Sequence, residues 1–414
     1  MILVYRLLIN LVLIFSPLII LIRLIKKKEH PITFKEKFTF FSKKRVMGNL
    51  IWFHGASVGE LMSVIPLIEK LEKEKNIKQI LVTTSTLSSA KIFNRFKFKK
   101  TIHQFFPVDS HYLSKKFLTY WKPSLVIFID SEIWPNMLTN LKKKSIHHIL
   151  LNARITKKSF KRWKRMGTFS KNLFKSFDYT YPQNEETKNY LNYFCVKKIK
   201  KIGNLKFSES VFDSKTFTSQ KLKKFLFNKK YWCAASTHEG EELIVAKSHQ
   251  VLQKKFANLI TIIIPRNIQR TQKIIDEFSQ LGLKIHLHSM KKQISKDTQI
   301  YIVDTYGETK SFFKICKIVF LGKSLTIQGG QNPLEPARYN CNIVHGPNVK
   351  NFHEIYTLLN KNKISFKIKN QNQLIKKVNE LLKKDIRSKH ISNKINIMGK
   401  KILKKTLIEL KRFI

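Results

Sequence analysis

A glutamate closes the segment Trp52-Phe53-His54-Gly55-Ala56-Ser57-Val58-Gly59-Glu60, directly after a run of strand-type residues. Glycines at 55 and 59 allow tight turns and close approach of another molecule. Ser57-Val58-Gly59-Glu60 also fits a capping box, in which Ser57 caps a helix and Glu60 reaches back to the Ser57 amide. The two readings are compatible. A helix amino terminus lowers a carboxylate pKa, so Glu60 is expected to be ionised there and able to accept a proton as a general base.

A second acidic segment, Asp130-Ser131-Glu132-Ile133-Trp134-Pro135-Asn136, follows the apolar run Leu125 to Ile129. Carboxylates at the end of a buried parallel strand sit where α/β active sites form. Capping of the next helix, with Pro135 in its first turn, explains them equally well. Gly329-Gly330-Gln331-Asn332-Pro333-Leu334-Glu335-Pro336-Ala337 reads as glycines, an N-cap Asn332 and a first-turn Pro333, whose exposed amides suit a phosphate. Glu335 could accept hydrogen bonds from ribose hydroxyls, and an ordinary capped helix is the alternative. Ser236-Thr237-His238-Glu239 is another capping-box pattern. Pro265-Arg266 places a guanidinium after a strongly apolar run, where it suits a carboxylate or phosphate. Tyr306-Gly307-Glu308 follows a strand ending at Asp304. The thirteen histidines show no metal-ligand spacing, and His147-His148 reads as a sheet edge or loop. No metal site, P-loop or GxGxxG is present.

Strand and helix patterns alternate around these segments. Strands are expected at 50–54, 80–84, 125–129, 149–151 and 179–181, with helices at 61–74, 88–96 and from 136. After a Lys-rich stretch at 208–229, strands are expected at 231–235, 259–264, 300–303, 318–321 and 343–345, then helices at 371–384 and 389–413. This βαβ succession implies two doubly wound parallel sheets with ligands at the carboxyl ends of the strands. A chain of 414 residues exceeds the size at which one core stops growing, so two domains are the default. The division expected is 1–28, 33–207, a linker at 208–229, 230–388 and a closing helix at 389–414.

Seventy-nine Lys and Arg face 27 Asp and Glu, a formal charge of +52. The lysines are spread along the chain rather than gathered in a tail, and they accompany abundant Asn, Ile and Phe, as compositional drift in an AT-rich genome produces. The field nonetheless favours anionic partners. Charge alone does not make this a nucleic-acid binder, and none is expected as a partner. Four cysteines without paired spacing fit reduced thiols. Residues 1–25 are mostly apolar and are followed by Lys26-Lys27-Lys28; 16 uncharged residues lie between Arg6 and Arg23. That run is marginal for a span of about 20 residues, and no small-residue cleavage site follows it. It reads as a retained anchor, spanning or lying in one leaflet, with the basic body on the cytoplasmic face.

The segments HGASVGE (54–60), DSEIWPN (130–136), NAR (152–154), GNLKF (203–207), STHEGEE (236–242), GGQNPLEPA (329–337) and HGPNVKNF (345–352), in this order, resemble the 3-deoxy-D-manno-octulosonic acid (Kdo) transferases of lipopolysaccharide synthesis. The resemblance implies a GT-B fold, with two Rossmann-like domains facing a cleft behind an amino-terminal anchor helix. It implies inverting transfer from CMP-Kdo to a lipid A precursor at the bacterial inner membrane, with no cofactor. It carries the general base onto Glu60 and transition-state stabilisation onto Asp130, with Glu132 nearby, and Lys206. Donor contacts carry over to Pro265, Arg266, Tyr306, Gly307, Glu308, Asn332, Pro333, Leu334 and Glu335. The chain departs from the family's usual Glu at Asp130, and from its usual His at Gln331 and Asn267, which puts individual donor contacts in question. The rival readings are a GT-B enzyme using another nucleotide sugar and a membrane-tethered binder of nucleic acid or acidic lipid.

Overall fold

The computed structural model describes residues 1–208, 220–290, 292–384 and 391–414. They form two compact units, Met1–Ser210 with Ile397–Ile414, and Val211–Asn396.

In the first unit six strands, β1 (Asn49–His54), β2 (Ile77–Thr84), β3 (Thr101–Phe105), β4 (Leu125–Ile129), β5 (His147–Ala153) and β6 (Tyr179–Pro182), form one sheet in the order β3-β2-β1-β4-β5-β6. Every pairing is parallel. β4 is buried along its whole length, because helices cover both faces and a central parallel strand must be apolar throughout. Trp52, Phe117, Trp121, Phe128 and Phe174 fill one side of the core. The strand order reverses between β1 and β4, and in open parallel sheets ligands bind beyond the carboxyl ends at such a point. The loop to Glu60 leaves β1 and Asp130 leaves β4, so the topology brings the two acidic segments to the same place. Neither β3 nor the helix His111–Trp121 was expected; β3 interleaves His103 and Gln104 with its apolar residues. His147 and His148 begin β5, an inner strand, so the edge or loop position is corrected and His148 is buried.

The second unit has seven strands, β7 (Lys230–Thr237), β8 (Leu259–Pro265), β9 (Ile285–Leu287), β10 (Ile300–Ile302), β11 (Ile318–Leu321), β12 (Asn342–His345) and β13 (Ser365–Lys367), in the order β13-β12-β11-β7-β8-β10-β9. Its pairings are parallel as well. The two edge strands, only three residues each, had no sequence signal.

Left-handed backbone recurs at the carboxyl ends of the inner strands. Asp130 follows β4 with φ 56°, Asn152 bulges β5 at 55°, Ser236 bulges β7 at 55°, and Lys323 follows β11 at 55°. Non-glycine residues held there are strained, and such strain gathers at functional sites.

The single anchor helix expected over the amino terminus is two helices, Ile2–Ile14 and Ser16–Ile25, bent by 55°. Pro17 lies in the first turn of the second helix, where it cannot donate the hydrogen bond that would continue the first. No single helix here is long and apolar enough to cross a membrane, although the bent pair passes the same test together. Leu3, Leu7, Leu11, Ile14, Leu18 and Ile25 are among its exposed apolar side chains. Two of its polar residues turn inward: the Tyr5 hydroxyl donates to Asp109 at 2.9 Å, and Arg6 donates to Asn136 at 3.0 Å.

Within the expected linker, residues 209–219 lie outside the described residues, and Gln220–Leu226 is helical. The closing helix, Ile391–Leu410, is not a separate segment: from Ile397 onward it belongs to the first unit. There Gly399 lies against the Phe207 carbonyl, where a Cβ would come within 2.2 Å of the oxygen.

Candidate active site

Glu60 is the third residue of the helix Val58–Leu71, and the capping box is formed. The Ser57 hydroxyl accepts from the Glu60 amide at 3.4 Å and donates to Glu60 Oε1 at 3.0 Å. Glu60 Oε2 accepts from the Ala56 and Ser57 amides at 2.6 and 3.3 Å. Gly55 lies close beneath it: a Cβ there would stand 3.0 Å from Glu60 Cβ, tight enough to push against the carboxylate's stem.

The electrostatic consequence runs opposite to expectation. Burial, then the charges of Glu132 and Asp130, push the Glu60 carboxyl up from 4.5 to about 7, against the Ser57 bonds that favour its charged form. Desolvation and two like charges outweigh the helix terminus. A base with a pKa near neutrality is matched to its task. Turnover is therefore expected to rise with pH to a plateau above 8, with half-maximal activity near pH 7 and about a tenfold loss per unit below pH 6. A kcat profile flat from pH 5.5 to 8.5 would contradict this. The stability linkage has its own sign. Because the folded pKa lies above the unfolded one, Glu60's contribution is fully present below 4.5 and is lost as pH rises through about 7.

Asp130 sits at its left-handed corner with both carboxylate oxygens engaged. The Asn152 side-chain amide donates to Oδ1, and Lys206 Nζ lies 3.1 Å from Oδ2. Asp130 and Lys206 are both largely buried, at 5% and 12% side-chain exposure. Asn152 Oδ1 in turn accepts the Leu205 amide at 2.9 Å, fixing the turn that carries Lys206. That Leu205–Ser208 turn packs on the helix of Glu60. Glu132 Oε2 lies 3.1 Å from His54 Nε2 and accepts from Trp134 Nε1 at 2.9 Å. His54, fully buried, is held from its other side by Thr83 at 2.9 Å and stacks on Phe106 at 3.8 Å.

The four residues singled out in this unit, Glu60, Asp130, Glu132 and Lys206, thus gather at one sheet edge. The capping alternative for Asp130 and Glu132 does not hold. Pro135 does open the helix Pro135–Lys143, but its amides at Asn136 and Met137 are accepted by Asp109, at 3.0 and 2.8 Å. Burial pushes the Asp109 carboxyl up to about 7 despite these bonds. Asn152, His54 and Asp109 were not assigned roles from sequence. Asn152 and His54 lie within the segments NAR and HGASVGE, which marked them without giving them a role, whereas Asp109 lies in none of the quoted segments.

In the second unit the Ser236–Glu239 capping box is not formed. Ser236 is left-handed, Gly240 caps the helix Glu241–Gln253, and it is Glu241 that reaches back to the His238 amide at 3.0 Å. Fully buried Glu241 also accepts the amides of Lys323, Ser324 and Leu325 at 2.8, 3.0 and 2.9 Å. Glu239 turns outward to Lys273. Pro265 is buried at the end of β8, and exposed Arg266 donates its amide to the Thr237 carbonyl at 3.0 Å. Tyr306 is 68% exposed, Gly307 turns the chain at φ 95°, and Glu308 precedes the helix Thr309–Ile315. The glycine-rich segment is corrected in one respect. Its helix is only Leu334–Arg338, with Pro333 at the N-cap, so it is too short for a strong macrodipole. Asn332 still accepts the Leu334 amide at 3.1 Å, and Asn332 and Glu335 are half-buried while Pro333 and Leu334 are buried. Among the described residues no group of three or more His, Cys, Asp or Glu is placed to hold a metal ion.

Residues 33–209 match the family described as 3-Deoxy-D-manno-octulosonic-acid transferase (kdotransferase). A 3-deoxy-D-manno-octulosonic acid transferase of Rickettsia bellii is 34% identical over 364 residues, 88% of this chain and 87% of that protein. Among solved structures, a UDP-GlcNAc 2-epimerase from Neisseria meningitidis aligns with TM-score 0.60 at 14% identity, covering 88% of this chain and all of that one. A glycosyltransferase from Rickettsia africae aligns at 0.59 and 13%, covering 89% and 99%. The two structural likenesses extend to the fold, two parallel-sheet domains, and the sequence likeness goes further: the chain belongs to the 3-deoxy-D-manno-octulosonic acid transferase family of glycosyltransferases.

Proposed function

We propose that this transferase moves Kdo from CMP-Kdo to a lipid A precursor in lipopolysaccharide synthesis, at the cytoplasmic face of the inner membrane. The observation that carries the reading is the Glu60 carboxyl, held near neutrality beside Asp130 and Glu132 within a Kdo transferase sequence. In this mechanism Glu60 takes the proton from an acceptor hydroxyl as its oxygen attacks the anomeric carbon of Kdo. The bond from that carbon to the CMP phosphate oxygen breaks, and CMP leaves with the electron pair from the opposite face, inverting the centre. Lys206 is a fixed cation for negative charge developing near Asp130. Arg266 and the Asn332–Glu335 segment serve the nucleotide. The exposed apolar side chains of residues 1–25 favour a bilayer surface, and their bent pair of helices suits insertion into one leaflet.

Incubating the full-length protein in detergent with CMP-Kdo and a tetra-acylated lipid A precursor tests this. The expected product gains one or more Kdo masses, with none from UDP-N-acetylglucosamine. Transfer from the UDP-sugar alone would overturn the donor assignment.

A further inference from the structure

The turn after β11 carries a lysine in a conformation that lysine does not favour. Lys323 has φ 55° and is locked from both sides, its amide donating to Glu241 and its carbonyl accepting from Gly330 at 2.8 Å. The other left-handed lysines, Lys27, Lys122 and Lys363, are exposed residues just past helix carboxyl ends, where a cation complements the dipole. Lys323 follows a strand and is half-buried, so that explanation does not reach it.

Its surroundings point to an anion. The neighbouring turn of β7 lies directly against it, since a Cβ on Gly322 would come within 2.4 Å of the Ser236 carbonyl oxygen. Arg266 holds the other side of that turn through its bond to Thr237. Both cations lie close enough to His238 for their charges to act on its ring. Burial, and then the charges of Lys323 and Arg266, depress the His238 imidazole, against the Ser236 carbonyl and Glu241, which raise it. The side chain of Lys323 runs past Gly329, where a Cβ would be 3.3 Å from its Cε. The nearby carboxylates are already matched: Glu239 to Lys273, Glu242 to Arg270, and Glu241 to backbone amides. Among the described residues neither Lys323 nor Arg266 has an acidic partner.

We propose that Lys323 is a phosphate ligand of the donor site, its ammonium and the Arg266 guanidinium receiving the phosphate oxygens of the sugar nucleotide beside the His238 turn. This rests on the reading of the second unit as the nucleotide-binding domain. Strain retained at Lys323 is then the cost of aiming a cation from a rigid strand end.

Two variants of the full chain separate function from strain. Lys323→Gly removes the charge and relieves the backbone; Lys323→Met removes the charge alone. Calorimetric titration with CMP is expected to show about a 10-fold or greater loss of affinity for both, steepest at low salt, with weak cytidine binding unchanged. The ligand-free melting temperature is expected to rise by about 2 °C in Lys323→Gly and to stay level in Lys323→Met. CMP affinity within twofold of the parent in both variants would overturn the assignment while leaving the donor reading intact. Parent protein that prefers UMP to CMP, with the same loss in the variants, would support Lys323 and move only the base assignment. Parent protein that binds no nucleotide would overturn both.

Discussion

Glu60→Gln is expected to lower kcat by about 10²- to 10⁴-fold, the usual contribution of a general base, with CMP affinity within twofold of the parent. The amide keeps an oxygen for the Ala56 and Ser57 amides, so the helix cap survives and the loss reports on proton transfer. Stability supplies a second, independent sign. The parent carboxyl is disfavoured as an anion by burial and by Glu132 and Asp130. The neutral variant is therefore expected to melt no lower than the parent at pH 8, and its advantage should vanish toward pH 5, where Glu60 is itself protonated. Single-turnover kinetics and melting curves at both pH values check these together. Near-parent turnover in the variant would remove Glu60 from the mechanism.

Lys206→Met is expected to cost both stability and turnover. Asp130 would keep the Asn152 amide and lose its cation in a nearly dry site, and breaking a buried pair from one side costs about 3–5 kcal/mol. Loss of a fixed charge beside the reacting centre lowers kcat by a further factor of about 10²–10³. The double variant Asp130→Asn, Lys206→Met separates the two effects. With no uncompensated charge it should regain most of the lost stability in urea unfolding, yet remain as inactive as the single variant. If Lys206→Met unfolds at the parent's midpoint, the pair does not hold the turn as the geometry implies.

What was legible in the sequence follows from the range of the forces involved. β4 was read to the residue because a doubly covered strand must be apolar at every position from Leu125 to Ile129. The Ser57–Glu60 box was readable because capping is local, four residues from end to end. The same pattern at Ser236 misled, since a bulge places Ser236 in left-handed backbone and passes the capping duty to Glu241. The direction of the Glu60 shift was not legible at all. It depends on Asp130 and Glu132, some 70 residues away in the chain, and on a strand order that puts β1 beside β4. Asp109 is the same case: its amide partners lie at Asn136 and Met137, and nothing in a linear pattern joins them.

The helix that closes the first unit sets a timetable for synthesis. Lys200 and Arg412 both pair with Glu409, Lys411 with Glu74, and Gly399 presses on the carbonyl of Phe207, next to Lys206. A ribosome working at about 5–20 residues per second needs roughly 10–40 s to travel from the GNLKF turn to the end of this helix. Throughout that interval the emerging first unit has its six strands but not the helix that backs the lysine turn. The nascent chain therefore carries the lysine turn without its backing helix, and the contacts around Gly399 and Glu409 can form only once that helix has been made.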